Sequence, residues 1–139
     1  MATLRFVEEA DANNEVNQLY GQIKAGFGAG RVPNAYKVLA NNPRILEAAV
    51  DNRRRIMDEG QLDPKLKEWL AWATVTLVSN AFGIKIHTAR LKKMGVSSAE
   101  ILEALAVLQY FTGISTVING LALAEDVNPD VVEYLRQNP

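Results

Sequence analysis

The stretch from Leu62 to Gly95 constrains the fold of this chain more than any other. Its pattern predicts two helices in tandem, with a break at Ser79-Asn80 and the chain's only histidine on the second helix. After a polar first turn, the first helix, Pro64 to Val78, is apolar or small on nearly every side. Helices apolar all round are buried all round. We therefore expect this helix at the centre of an all-α fold, surrounded by other helices or covered by another subunit.

The rest of the chain carries further helix signals and no alternating strand pattern, which predicts one all-α domain over residues 1–139. An N-cap followed by a proline in the first helical turn is predicted at Asn42-Pro43, Asp63-Pro64 and Asn128-Pro129. Gly95 suits the left-handed turn that ends a helix, and Ser97 with Glu100 forms a capping-box pattern. The predicted helices are Asn13–Phe27, Ala35–Ala40, Pro43 to Gly60, Pro64–Val78, Ala81–Met94, one from Ser97 that kinks or breaks at Gly113, one from Ile114 towards Ala124, and one after Asn128.

Composition excludes several classes of function. The chain has no cysteine, so disulfides, thiolate metal sites and cysteine redox cycles are excluded. A single histidine does not suit a zinc or iron site, so we expect neither metal nor cofactor. A net charge of -1 provides no basic field for nucleic acid. The acidic N-terminal stretch does not resemble a signal peptide, and the segment Trp69 to Val78 is too short to cross a membrane. We expect a cytoplasmic protein with no membrane partner.

The central stretch also resembles a known family. The order LDPKLKEWLAWATVTLVSNAFGIKIHTARLKKMG, followed by SSAEILEAL and a helix ending in VINGLALA, is similar to the carboxymuconolactone decarboxylase / alkylhydroperoxidase D-like (AhpD-like) family. The upstream LYGQIKAGFGAGRVPNAYKVLANNPRILEA is similar to the family's N-terminal half, so the resemblance covers nearly the whole chain. It implies an all-helical domain that forms homotrimers or homohexamers, with an active site lined by the two central helices.

The resemblance can be carried over by position. The family's peroxidase branch uses a glutamate, a CxxC motif at the start of the next helix, and a histidine four residues after the second cysteine. The glutamate falls on Glu68 and the histidine on His87, while the cysteine positions fall on Asn80 and Gly83, with Phe82 between them. Without a thiolate, peroxide reduction by that route is excluded. The decarboxylase branch lacks the cysteine pair, but its usual glutamate falls on Gly83, so the chain departs from that pattern too.

The remaining groups predict acid/base chemistry if the family geometry holds. His87 would be the general acid/base and Glu68 the group that fixes its tautomer. Asn80, at a helix N-terminus, would contact a carboxylate or oxyanion, and Asn119 and Thr116 would add polar groups to the pocket. Together with Phe82 and Gly83 these residues predict a small-molecule substrate site. This chemistry suits a cofactor-free decarboxylase, isomerase or lactone-acting lyase on a small carboxylic acid or lactone.

Plainer interpretations stay open at this point. A first-turn acid such as Glu68 is ordinarily a surface residue favoured by the helix dipole, and a lone histidine among apolar residues is more often a packing residue than a catalyst. Capping alone explains Asn80. The alternative function is a non-catalytic oligomeric scaffold or small-molecule binder. Likewise, Arg53 to Arg55 predict a solvated or subunit-facing edge, or else one inward arginine that holds a substrate carboxylate.

Overall fold

The computed structural model of the chain describes residues 3–28, 30–123 and 128–139. Within these ranges the chain forms helices and no strand, so the predicted all-α class is confirmed. Ala124, to which a predicted helix extended, lies outside the described residues. The helices are α1 (Asn14–Phe27), α2 (Asn34–Leu39), α3 (Pro43–Met57), α4 (Pro64–Leu77), α5 (Ala81–Lys93), α6 (Ser98–Gly120) and α7 (Pro129–Gln137).

The chain forms two compact units, residues 1–67 and 68–139, and the boundary falls inside α4. The prediction of a single domain stays a prediction. In the first unit, α1 and α2 both pack on α3. The Tyr20 hydroxyl donates to the Val7 carbonyl at 2.7 Å, and burial raises the pKa of Tyr20. Glu9 accepts from Lys24 at 2.7 Å, which lowers the pKa of that carboxyl. The core contains Val16, Leu19, Tyr20, Ile23, Val32, Ala40, Leu46 and Val50.

The second unit has a smaller core, built on α4, α5 and the start of α6. Trp72, Leu91 and Val96 are buried at its centre. The Trp72 indole N–H donates to the Thr88 hydroxyl oxygen at 2.9 Å, which joins α4 to α5. The partly buried side chains packed around this cluster are Trp69, Ala73, Ile101, Ala104 and Leu108.

Local hydrogen bonds set the helix ends in the second unit. At the end of α4, Ser79 has a φ of 56°, and the Asn80 N–H donates to the Val75 carbonyl at 2.9 Å. This is a Schellman motif with serine where glycine is usual. Gly95, with a φ of 82°, ends α5 in the same way, as predicted. The capping box of Ser97 and Glu100 is also present.

Of the two side-chain caps predicted at Asp63 and Asn42, one is present and one is absent. Asp63 caps α4 by accepting from the Lys65 and Leu66 amides, as predicted. Asn42 precedes α3, but its side chain makes no capping hydrogen bond. The helix therefore begins with Pro43 in place and without the predicted side-chain cap.

Of the two predictions for α4, burial on every face by helices of the same chain is wrong, and cover by another subunit stays a prediction. Glu68 and Trp72 are buried, but Leu70 and Leu77 are exposed by 52% and 55%. The central hairpin of α4 and α5 is thus buried on the face that carries Glu68 and Trp72, and its opposite face is open in one chain.

The helix α6 differs most from prediction. It continues through Gly113 without a break, although a kink or a second helix was expected there. Among the described residues it is also the helix whose length and composition would allow it to cross a membrane, with a mean hydropathy of 1.6 and none of that window buried.

Candidate active site

The candidate site lies on an antiparallel hairpin formed by α4 and α5. Contacts between the two helices run in opposite directions along them: Val75 of α4 lies against Gly83 of α5, and three residues earlier on α4, Trp72 bonds to Thr88, which lies five residues later on α5. The three-residue turn from Val78 to Asn80 allows this close pairing, because α4 ends at Leu77 and α5 begins at Ala81. Local capping therefore determines which face of α5 meets Glu68.

Glu68 and His87 form a direct hydrogen bond. The His87 Nδ1 lies 2.5 Å from the Glu68 Oε1, and the two side chains are 17% and 3% exposed. An ionised carboxylate only accepts hydrogen bonds, so in a bond to ionised Glu68 the Nδ1 is the donor. This leaves Nε2 as the nitrogen that can exchange a proton with another molecule. The structure thus brings together the two residues that sequence analysis placed at the centre of the site.

Arg90 is a third member of this cluster, and sequence analysis missed it. Its Nη1 lies 3.5 Å from the Glu68 Oε2, the oxygen that His87 does not contact. The signal was available, because residues three apart share a helix face and Arg90 follows His87 by three positions. The same geometry places Lys85 on another side of α5, where it is exposed.

The other α5 candidates have structural roles. The Asn80 side chain accepts from the Gly83 N–H at 2.9 Å, so this oxygen serves as the N-cap. Gly83 is buried, and a Cβ built there would lie 2.8 Å from the Val75 Cγ1. The Phe82 side chain is half exposed. None of these three makes a hydrogen bond to Glu68 or His87 among the described residues, so substrate contact by them stays a prediction.

The polar candidates on α6 are also separate from the pair. The Thr116 hydroxyl donates to the Thr112 carbonyl within α6 at 2.9 Å. Asn119 is exposed near the end of the helix. In the part of the chain that the structure describes, neither side chain bonds to Glu68 or His87. No group of three or more His, Asp or Glu residues there is arranged to hold a metal ion.

A cavity of about 370 Å³ lies in the first unit and involves none of these residues. Its wall includes Tyr36 and Arg53. The Arg53 side chain is turned inward, as one of the two predictions for the arginine run allowed. However, its Nη2 donates to the Gly26 carbonyl at 2.9 Å, and its guanidinium lies 4.5 Å from the centre of the Phe27 ring. Arg53 therefore holds the end of α1, and its contact with a substrate carboxylate stays a prediction.

Two kinds of relative match this chain in sequence or structure. The crystal structure of the alkylhydroperoxidase AhpD core from Rhodospirillum rubrum matches with a TM-score of 0.81 and 27% identity, over 95% of this chain and 98% of that one. The (R)-2-haloacid dehalogenase of Pseudomonas putida is 30% identical over 115 residues, which is 79% of this chain and 36% of the dehalogenase. The chain thus spans little more than a third of that enzyme's length.

The family match includes the whole candidate site. The sequence model of the carboxymuconolactone decarboxylase family matches residues 43–126, which is more than half of the chain. This region contains α3 to α6, and so Glu68, His87 and Arg90. With the AhpD-like fold established as well, the chain belongs to the carboxymuconolactone decarboxylase family.

Proposed function

We propose that this protein is a cofactor-free acid/base enzyme that acts on a small carboxylic acid or lactone. The observation that carries the proposal is the 2.5 Å bond between the His87 Nδ1 and the buried Glu68 carboxylate. A histidine held in this way keeps Nε2 as its working nitrogen, and the carboxylate stabilises the imidazolium that forms when Nε2 takes a proton. His87 is the general acid/base, and Glu68 orients it.

The reaction class follows from what these groups can do. His87 can remove a proton next to a carbonyl and return it elsewhere on the substrate, which serves isomerisation and lactone chemistry, or protonate the carbanion that a decarboxylation leaves. The cysteine-free chain supplies no thiolate, so it cannot attack a peroxide by the disulfide-forming route.

The dehalogenase relative supports a second candidate reaction on the same class of substrate. Its name specifies a 2-haloacid, a small carboxylic acid with a leaving group on the carbon next to the carboxylate. On such a substrate His87 would take a proton from water while the water oxygen bonds to that carbon and the halide leaves. Both candidates share a small carboxylate and a proton transfer at His87.

A substrate panel with matched variants tests the proposal. Small lactones, keto acids and (R)-2-haloacids are incubated with the purified protein, and carbon dioxide, halide and substrate loss are measured. His87→Gln is expected to lower turnover by roughly 10²- to 10⁴-fold, the usual contribution of a general acid/base. Lys85→Gln is the control, because Lys85 is exposed on another side of the same helix.

Two outcomes would count against the enzyme proposal. Full turnover in a folded His87→Gln variant would remove His87 from the mechanism. No turnover of any substrate, together with binding that persists in Glu68→Gln, would favour the alternative function, a non-catalytic scaffold or small-molecule binder.

A further inference from the structure

We propose that Arg90 is a positioning residue that keeps His87 in the neutral form with its proton on Nδ1. This inference rests on the proposed function, in which the free Nε2 of His87 is the base. It concerns the second oxygen of Glu68, whose partner is Arg90 and not His87.

Glu68 needs a positive charge beside it. Its side chain is only 3% exposed, and an unpaired buried carboxylate is strongly unfavourable. Lys67, its neighbour in sequence, is directed elsewhere, because its Nζ donates to the Glu59 carbonyl. Among the described residues, the cationic side chains that contact the Glu68 carboxylate are those of His87 and Arg90.

These two partners can balance the carboxylate in different ways. With the Arg90 guanidinium at Oε2, the ionised Glu68 is already paired, and His87 can stay neutral and donate from Nδ1. Without Arg90, His87 is the remaining cationic side chain in contact with the carboxylate, so the doubly protonated ring is favoured over the neutral one more than in the wild type. A ring protonated on Nε2 cannot accept a proton from a substrate. Arg90 therefore preserves the basic form of His87 without contacting the substrate.

The geometry suits this role. Arg90 lies one turn after His87 on α5, so both side chains reach the same carboxylate from one helix face. The next residue, Leu91, is fully buried in the core cluster and fixes this part of α5. The planar guanidinium of arginine is always charged. It can therefore balance the charge of the buried carboxylate at any pH near neutrality. The Arg90 side chain itself is 22% exposed.

Nitrogen NMR of the single histidine tests the inference directly. Because the chain has one histidine, its two ring-nitrogen signals need no assignment among competitors. At neutral pH the wild-type protein is expected to show a protonated Nδ1 and an unprotonated Nε2. In Arg90→Gln the Nε2 signal should move towards the position of a protonated nitrogen, whereas Arg90→Lys should restore most of the wild-type position. Lys92→Gln, an exposed cation on the same helix, should change neither signal.

Several results would overturn the inference. An Nε2 signal in folded Arg90→Gln that equals the wild-type signal would show that Arg90 does not govern the ring. A wild-type ring that carries its proton on Nε2 would do the same, and this measurement does not depend on any variant folding. Because the NMR experiment needs no substrate, it separates this inference from the proposed function: absence of turnover would leave the role of Arg90 intact.

Discussion

Gly83 shows how the packing of a neighbouring helix can exclude a side chain at a single position. The family resemblance predicts the second cysteine of the peroxidase branch at this position, and in this chain Val75 of α4 fills the space that a side chain would need. A Cβ on Gly83 would lie 2.8 Å from the Val75 Cγ1 and 3.0 Å from its Cβ. Valine is β-branched and stiff in a helix, so it cannot rotate away cheaply. Restoring a cysteine would therefore require repacking of α4.

This packing leads to a stability prediction for glycine substitutions. Gly21→Ala, in α1 with nothing within 4 Å of its added Cβ, should raise the free energy of unfolding by about 0.5–1 kcal/mol through helix propensity. Gly83→Ala gains the same helix propensity but overpacks the hairpin. Its free energy of unfolding should therefore be about 1–3 kcal/mol lower than that of Gly21→Ala. Urea unfolding of both variants measures the difference.

A compensating change provides the control for Gly83. Adding Val75→Ala to Gly83→Ala removes the Val75 Cγ1, the atom nearest to the new Cβ. The double variant should therefore be more stable than the sum of the two single changes in unfolding free energy predicts. Additive effects would show that Val75 is not the obstacle.

At the scale of the secondary-structure element, the turn between α4 and α5 determines how Glu68 and His87 meet. Ser79 adopts a left-handed φ of 56°, which is unfavourable for a residue with a Cβ. Ser79→Gly should therefore stabilise the protein by about 0.5 kcal/mol, as relief of the Cβ strain exceeds the extra freedom of glycine in the unfolded chain.

A serine inside a helix is the matched comparison. Ser115 lies within α6, so Ser115→Gly should destabilise the protein by about 0.5 kcal/mol, the difference in helix propensity. Thermal unfolding of both variants gives the sign of each effect. A lower melting temperature for Ser79→Gly would contradict the assignment of strain to this turn.

The α6 helix shows what local signals do and do not predict. Its start was predicted by the capping box of Ser97 and Glu100, whose hydrogen bonds involve residues three apart. The continuity of α6 was not predicted. A glycine such as Gly113 destabilises a helix by only about 1 kcal/mol relative to alanine. Flanking residues that favour the helix outweigh that amount, so Gly113 stays helical.

At the scale of the whole molecule, α6 and its C-cap present an exposed apolar face between Val107 and Leu121. Its large side chains recur at helical spacing and are exposed in one chain: Val107, Tyr110, Ile114, Val117, Ile118 and Leu121. Polar side chains recur on another side of the helix: Gln109, Thr112, Thr116 and Asn119. A helix with polar residues along one side suits a protein partner better than lipid on all sides. We propose that further copies of this chain cover the apolar face.

Light scattering coupled to gel filtration tests this assembly. We expect the mass of a trimer or hexamer for the wild-type protein. Val117→Lys, which puts a charge on the apolar face, should shift the mass towards the monomer, because burying an unpaired lysine is costly. Gln109→Lys, on the polar side of the same helix, should assemble normally.

Two results would contradict the assembly proposal. A wild-type monomer at micromolar concentration would leave the apolar face uncovered by copies of the chain. A protein that floats with phosphatidylcholine vesicles would identify lipid as the occupant of α6 instead.

The features that depend on local interactions could be predicted from the amino-acid sequence alone. Helix class, the Asp63 and Ser97 caps and the left-handed Gly95 depend on bonds between residues at most five positions apart, and they were predicted correctly. The tertiary structure decided what depends on distant contacts. Glu68 and His87 are nineteen positions apart, so only the packed hairpin shows their bond, the Arg90 pairing and the space that Val75 takes from Gly83. Side-chain packing between helices cannot be inferred from the periodicity of either helix alone.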